Sequence, residues 1–260
     1  MPFYIIVANR LSKIIGNLSK VLICYPFHFF FPKARFTIPK ISHAKIKSNP
    51  NYKVTKIIWQ TNYSNVSSLP VYLNYLFNRL LSLDYEYRYV STEDRNEYIK
   101  EHGTKEQYES FIKLNDGAAQ ADFWRLFVLN KEGGIYLDID AHFVWPLSKI
   151  IKPDDNEVFL MTKHNYSNYF IASAPNNKYL QKTLDIIVDN IQQKKIGGGV
   201  YDLTGPTALN LAIGDDNVNS RHNKITCVQG SFTNEYFQYI DKPRGKWTHA
   251  KKEELLKEEE

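Results

Sequence analysis

Residues 118–140, A-A-Q-A-D-F-W-R-L-F-V-L-N-K-E-G-G-I-Y-L-D-I-D, constrain what this chain can fold into more than any other stretch. Positions 118–130 are almost continuously apolar, which predicts a helix buried on most sides. Asp122 and Arg125 interrupt it three apart, as neighbours on one helical face. Gly133 and Gly134 end the helix, because glycine adopts the left-handed backbone that helix C-termini favour. Beyond them Ile135, Leu137 and Ile139 alternate with Tyr136, Asp138 and Asp140, the period-two pattern of a strand. That alternation sends both aspartates to one side. There they repel each other unless a cation lies between them, and hard divalent ions take oxygen ligands of this kind.

Charge is divided unevenly along the 260 residues. Residues 1–83 hold 11 Lys and Arg and no Asp or Glu, whereas the remainder carries 22 basic against 28 acidic side chains, net −6. A uniformly basic nucleic-acid-binding protein would not show this split, so no nucleic-acid partner is expected; a basic leader on a mildly acidic domain fits it. Pro2 can open a helix and Pro26 should stop one. Between them Val7, Leu11, Ile14, Ile15, Leu18, Val21 and Leu22 recur three and four apart, with Arg10, Lys13, Asn17 and Lys20 on the other face. A cationic amphipathic helix of this kind is expected in the plane of an anionic membrane surface. The Y-P-F-H-F-F-F run at 25–31 adds aromatic bulk suited to headgroup depth. Packing of the same helix on its own domain is the alternative. No run approaches the ~20 apolar residues of a membrane span, and the lysines break up any signal peptide. Cys24 and Cys227 form neither a disulfide framework nor a metal-ligand spacing, which suits a reducing compartment.

The rest of the chain alternates strand and helix patterns. Strands are expected at 54–59, 85–90, 158–162, 169–172 and 225–228. Helices are expected at 69–81, 92–101, 104–114 and 178–193, with another opening at Thr204-Gly205-Pro206. Residues 37–52 read as a connector. This order predicts an α/β fold, a sheet covered by helices on both faces. The domain division is 1–40 as membrane-associating segment, 41–250 as the α/β domain, and 251–260 as a charged, solvated helix end or frayed tail.

A lone D-x-D arises by chance at roughly even odds in a chain of this length. A charged pair inside so apolar a helix is costly unless something needs it there. A phosphorylated ligand would use all four residues. A divalent cation bridging Asp138, Asp140 and a diphosphate would neutralise charge on a departing phosphate, Arg125 would hold a phosphate or sugar oxygens, and Asp122 would accept from hydroxyls.

Asp122-x-x-Arg125 followed by G-G-I-Y-L-D-I-D at 133–140 resembles the D-x-D sugar-binding region of GT-A glycosyltransferases. The nearest pattern is glycosyltransferase family 32, which holds yeast-type initiating mannosyltransferases and bacterial capsule and lipopolysaccharide enzymes; the catalytic domains of clostridial glucosylating toxins share its core. K-I-I-W-Q-T at 56–61 resembles that family's first strand and T-G-P at 204–206 its later element, so the similarity spans about 54–215. The resemblance implies a GT-A-type mixed, mainly parallel sheet. It also implies Asp140 as direct metal ligand, Asp138 on the ribose and a metal-bound water, and Asp122 and Arg125 on the donor sugar. The first strand would cradle the base. Here Trp59 stands where the family usually has His and Asn62 where it usually has Trp, so Trp59 is the stacking candidate, beside Gln60, with Tyr63 second. Near the C-terminus G-K-W-T-H at 245–249 only loosely matches the family's metal-closing segment and offers His249 as third ligand. Asn168, Thr204 and Asp202 are sugar or acceptor candidates.

The expected function is metal-dependent (Mn²⁺ or Mg²⁺), retaining transfer of a hexose from a UDP- or GDP-sugar to a glycan acceptor, lipid-linked, in capsule or lipopolysaccharide biosynthesis. The expected site of action is the cytoplasmic face of the cell membrane. The alternatives are a toxin-like transferase acting on a protein, and a non-catalytic membrane-surface module that binds a cation. Metal-dependent phosphoester hydrolysis would need clustered histidines, which the spacing does not supply.

Overall fold

The computed structural model describes residues 3–47, 51–242 and 245–257. Pro2 and the last three residues of the expected tail lie outside these. Helix α6 (Gly117–Glu132) is set by its ends. The Asp116 carboxylate accepts from the Ala118 and Ala119 amides at 2.9 Å, a side-chain cap on donors with no partner inside the helix. Gly133 and Gly134 then take φ of 70° and 107°. A Cβ on Gly134 would meet the Ile57 carbonyl oxygen at 2.6 Å, so glycine is required for conformation and for space alike.

Seven strands form the central sheet, in the order β10 (Ser220–His222), β8 (Glu157–Thr162), β9 (Asn165–Ser173), β6 (Gly134–Leu137), β3 (Ile57–Thr61), β5 (Glu86–Val90), β2 (Ile41–Ser42). The β3/β5, β3/β6 and β8/β10 ladders are parallel, while β2/β5, β6/β9 and β8/β9 are antiparallel. The sheet is mixed, with the two ladder types equal in number. Alternate residues feed two cores. On β3 and β6, Trp59 and Tyr136 face α6, α5 (Lys105–Lys113) and the 178–192 helix. Ile58, Ile135 and Leu137 face α3 (Leu69–Leu80), which contributes Val71 and Tyr75.

Two short ladders complete the frame. One joins β1 (Phe36–Thr37) to β4 (Val66–Ser67); the other joins β7 (Ala141–Phe143) to β11 (Cys227–Gln229). The second sets Gln229 opposite Ala141, one residue past the second aspartate. Asn74 and Asn78 of α3, fully buried, donate to the Ala141 carbonyl at 2.9 Å each, and Asn74 also donates to Ile139 at 2.8 Å. They fix the turn that carries both aspartates.

Several expectations are corrected. The 37–52 connector contributes the edge strand β2, which antiparallel hydrogen bonds to β5 hold in place. The charged tail is docked as far as Lys257: Leu255 is 1 % exposed, and main-chain hydrogen bonds join 255–257 to Lys113 and Asn115. Pro26 does not end the leader helix. After α1 (Phe3–Leu18) a π-helical turn, Ser19–Cys24, widens the backbone, and Pro26 falls in the first turn of α2 (Tyr25–Phe30). A first-turn proline costs no helical hydrogen bond. Cys24 and Cys227 are buried free thiols.

Candidate active site

Strand β6 stops at Leu137, so Asp138 and Asp140 lie in a turn beyond its end and not on the continued strand that the alternation predicts. The Ala141 amide donates to the Asp138 carbonyl at 3.0 Å, closing that turn, and the Asp138 amide donates to Tyr169 on β9 at 3.0 Å. Both carboxylates line a cavity of about 340 Å³ together with Asp122, Arg125, Tyr136 and Asn168. The four residues singled out from sequence therefore meet in one place.

Arg125 binds them together. Its Nη2 lies 3.0 Å from Asp122 Oδ1 and 3.2 Å from Asp138 Oδ1, and its Nη1 donates to the Asn168 carbonyl at 2.7 Å. The guanidinium stacks over the Tyr136 ring, 4.3 Å from its centroid, while the Tyr136 hydroxyl donates to Asp138 Oδ1 at 2.8 Å. Burial alone would weaken the charge on Arg125. Asp138, Tyr136 and Asp122 outweigh that and hold it firmly protonated. Asp122 accepts from Asn168 Nδ2 at 2.9 Å and from the Thr204 hydroxyl at 3.1 Å, but burial still pushes its carboxyl up to about 7 against the opposing pull of Arg125. Asn168 and Thr204 thus orient Asp122. Asp202, the third of those candidates, accepts from Thr207 at 2.7 Å and does not line the cavity.

The aspartate pair lacks enough positive charge. Burial, then the charge on Asp138, raises the Asp140 carboxyl to about 7; burial also raises Asp138, opposed chiefly by Arg125. Gln229 Nε2 stands between them, donating to Asp138 Oδ2 at 3.2 Å and to Asp140 Oδ1 at 3.1 Å. This amide bridge orients the two carboxylates but brings no charge to balance them. Among the described residues no three His, Cys, Asp or Glu side chains gather into a metal cluster. Two carboxylates open to a cavity fit an ion that completes its shell with substrate phosphates and water, the usual habit of Mg²⁺. The residues present fit such an ion.

His249 is not drawn to the pair. Its imidazole contacts Glu235, which also accepts from Lys246 at 3.0 Å. Trp59 is a core residue: it is 4 % exposed, its indole donates to the Gly133 carbonyl at 2.9 Å, and its ring meets Trp124 edge-on. It has no face toward the cavity, because Gly133 and Trp124 enclose it within the core. Gln60 is buried too, accepting from the Tyr87 hydroxyl at 2.9 Å and donating to the Asp138 carbonyl at 3.1 Å, so it braces the aspartate turn. Tyr63, the second stacking candidate, lines the cavity along with Asn62.

Sequence reasoning missed Tyr136, Gln229 and Arg95. Tyr136 was legible, since it alternates onto the Asp138 side of the strand. Gln229 had no local signal; only the β7/β11 ladder brings it across some ninety residues. Arg95, on α4 (Thr92–His102), lines the cavity beside Thr61 and Thr92 although it is 2 % exposed. Its Nη2 donates to the Thr92 hydroxyl at 3.0 Å, its Nε has no hydrogen-bond partner, and no carboxylate pairs with it among the described residues. Burial lowers its pKa to about 10. A buried cation left uncompensated is costly unless a ligand completes it.

Comparison with known proteins agrees with this geometry. Residues 70–159 match the family model described as a glycosyltransferase sugar-binding region containing the DXD motif. A curated toxin of Photorhabdus asymbiotica is 28 % identical over 184 residues, which is 67 % of this chain and 6 % of that protein. The chain therefore spans only a small part of the relative it matches. The PaToxG glycosyltransferase structure superposes with a TM-score of 0.51 at 20 % identity, covering 78 % of this chain and 79 % of that one. The UDP-bound glycosyltransferase domain from the YGT toxin gives 0.39 at 13 % identity, over 57 % and 54 %. With residues 70–159 matching the DXD sugar-binding region in sequence and the mixed α/β architecture matched in space, this chain has the fold of the GT-A glycosyltransferases.

Proposed function

We propose that the chain transfers a hexose from a nucleotide-diphosphate sugar to an acceptor hydroxyl, with retention of configuration and with Mn²⁺ or Mg²⁺. The observation that carries this reading is the joined set Asp122–Arg125–Asp138–Asp140 at the floor of one cavity. Asp138 and Asp140 would hold the divalent ion, which when bound neutralises charge gathering on the departing diphosphate. Arg125 and Asp122 hold the donor sugar: the guanidinium donates, the carboxylate accepts, and Asn168 and Thr204 keep the carboxylate in position. As the sugar C1–diphosphate bond breaks, the acceptor oxygen bonds C1 on the same face and its proton passes to a diphosphate oxygen. No side chain need act as base, so positioning and electrostatics supply the rate.

The base and ribose fit the end of the cavity lined by Asn62, Tyr63, Thr92 and Arg95. Tyr63 offers a ring face, and the Arg95 guanidinium, which no carboxylate pairs among the described residues, meets carbonyl or phosphate oxygens of the nucleotide. Arg95→Leu, close in volume and uncharged, should keep the fold and raise the donor KM at least ~10-fold, the value of a charge-assisted hydrogen bond of about 1.5–3 kcal/mol. An unchanged KM would leave Arg95 without a part in donor binding. Gln229→Ala should weaken Mn²⁺ binding to the protein by ~10-fold, as loss of a neighbour that orients a metal ligand does; titration calorimetry reads this directly. Equal Mn²⁺ affinity would reduce Gln229 to a wall residue.

The acceptor we favour is a membrane-borne glycan of surface polysaccharide synthesis, because the leader, whose polar seam braces the segment that carries Gln229, turns an apolar face outward. A second reading, transfer to a protein hydroxyl, draws support from the two toxin matches. Radiolabelled donor sugar chased into a lysate tests both. Label in the lipid extract supports the first, a labelled protein band the second, and label in neither refutes transfer to both acceptor classes.

A further inference from the structure

The leader packs on the body with the opposite face from the one its composition suggests. Asn9, Ser12 and Gly16 are its buried residues on α1. Asn9 donates to the Lys224 carbonyl at 2.6 Å, and the Ser12 hydroxyl lies 3.1 Å from His142. A Cβ on Gly16 would meet Ser231 and Phe232 at 2.9 Å, so a small residue is needed at that contact. Lys20 donates to the Gly230 carbonyl at 2.9 Å, and Asn234 to the Tyr25 hydroxyl at 2.7 Å. This narrow polar seam braces the back of the 229–238 segment, which delivers Gln229 and Gln238 to the cavity.

The apolar face points away from the body. Leu11, Ile14, Leu18 and Leu22 are 52–66 % exposed, and Phe29 and Phe30 at least 72 %. A helix that spends its small residues on its own domain and leaves a row of large ones in water has a partner of another kind. At 100° per residue, Arg10 flanks the apolar row, whereas Lys13 lies beside the packed face of Asn9 and Gly16, and no carboxylate pairs with either among the described residues. Charge narrows the partner further, since the charged side chains within residues 3–31 are Arg10, Lys13 and Lys20, all cationic. No described helix is long and apolar enough to cross a bilayer.

We infer that residues 3–31 form a fixed platform that docks the protein on an anionic lipid bilayer, with the row from Leu11 to Leu22 and Phe29–Phe30 entering the interface and the flanking Arg10 meeting lipid phosphates. A helix with an outward apolar face and flanking cations binds in this way, and lipid charge adds to the buried apolar area. Because the inner seam holds the Gln229 segment, the cavity is kept beside the bilayer. Membrane docking is independent of the transfer reaction.

Sedimentation with sucrose-loaded vesicles tests it, using full-length protein with 3:1 phosphatidylcholine:phosphatidylserine against phosphatidylcholine alone. Wild type should bind the mixed vesicles at least ~10-fold better than the neutral ones. Ile14→Glu with Leu18→Glu should lose at least ~10-fold of that binding while its thermal unfolding is unchanged, since both positions face away from the body. Arg10→Glu should weaken the preference for the anionic lipid. Absence of binding, or binding indifferent to the first pair, overturns the inference; so does a stable dimer by light scattering that Ile14→Glu/Leu18→Glu dissolves, because the face would then belong to a second copy.

Discussion

Asp140→Asn should lower kcat/KM on the order of 10³-fold while leaving the fold intact. The substitution keeps the shape of the side chain and its acceptor for Gln229 Nε2, and removes the charge that would hold a divalent ion. Stability should move the other way. The Asp140 carboxyl sits at about 7 because burial and the neighbouring Asp138 disfavour its ionised form. A carboxyl raised in the folded state is more readily ionised in the unfolded chain, so between the ordinary carboxylate range and pH 7 stability falls as pH rises. In EDTA at pH 8 the neutral Asn variant should therefore melt at or above the wild-type temperature. A variant that loses both activity and stability would mark Asp140 as a structural residue instead.

Arg125→Ala should do both kinds of damage at once. Arg125 is 5 % exposed and is the cation shared by Asp122 and Asp138. Removing one partner of a buried ion pair leaves an uncompensated charge, at a cost of about 3–5 kcal/mol. At roughly 2–4 °C per kcal/mol for a domain of this size, the melting temperature should drop by about 6–20 °C. Transfer should be lost as well, since neither the donor sugar nor Asp138 keeps its anchor. Arg125→Ala combined with Asp122→Asn separates the two effects: stability should return in part because the orphaned charge is gone, and activity should not. Recovery of activity in the double variant would mean that Arg125 has no contact with the donor.

What could be read in the sequence follows the range of the interactions involved. Helix α6, its cap at Asp116 and its glycine stop are local, and the period-three spacing of Asp122 and Arg125 already puts them on one face. The convergence of Asp138 and Asp140 was legible as well, though for a different reason: the turn beyond Leu137, held by Asn74 and Asn78, brings them together. Gln229 and Arg95 were not legible. Each reaches the cavity only because sheet order places its element there, and neither carries a motif. Trp59 shows the opposite error. An aromatic residue at a strand end suits a stacking role, yet its neighbours decide whether it meets ligand or core, and here Trp124 packs on its ring and Gly133 receives its N–H. For the leader, periodicity showed an amphipathic helix but not which face would pack; Gly16 and Ser12 settle that through the close approach of the 231–232 backbone.

The central claim is that these four residues work as one metal-assisted donor site. Nucleotide diphosphate release tests it most directly, measured with UDP- and GDP-hexoses in Mn²⁺ and again in EDTA, for wild type and Asp140→Asn side by side. Wild-type protein should release nucleotide diphosphate from at least one donor in Mn²⁺, and EDTA and Asp140→Asn should each abolish that release. Equal release by the two proteins, or release that persists undiminished in EDTA, would contradict it.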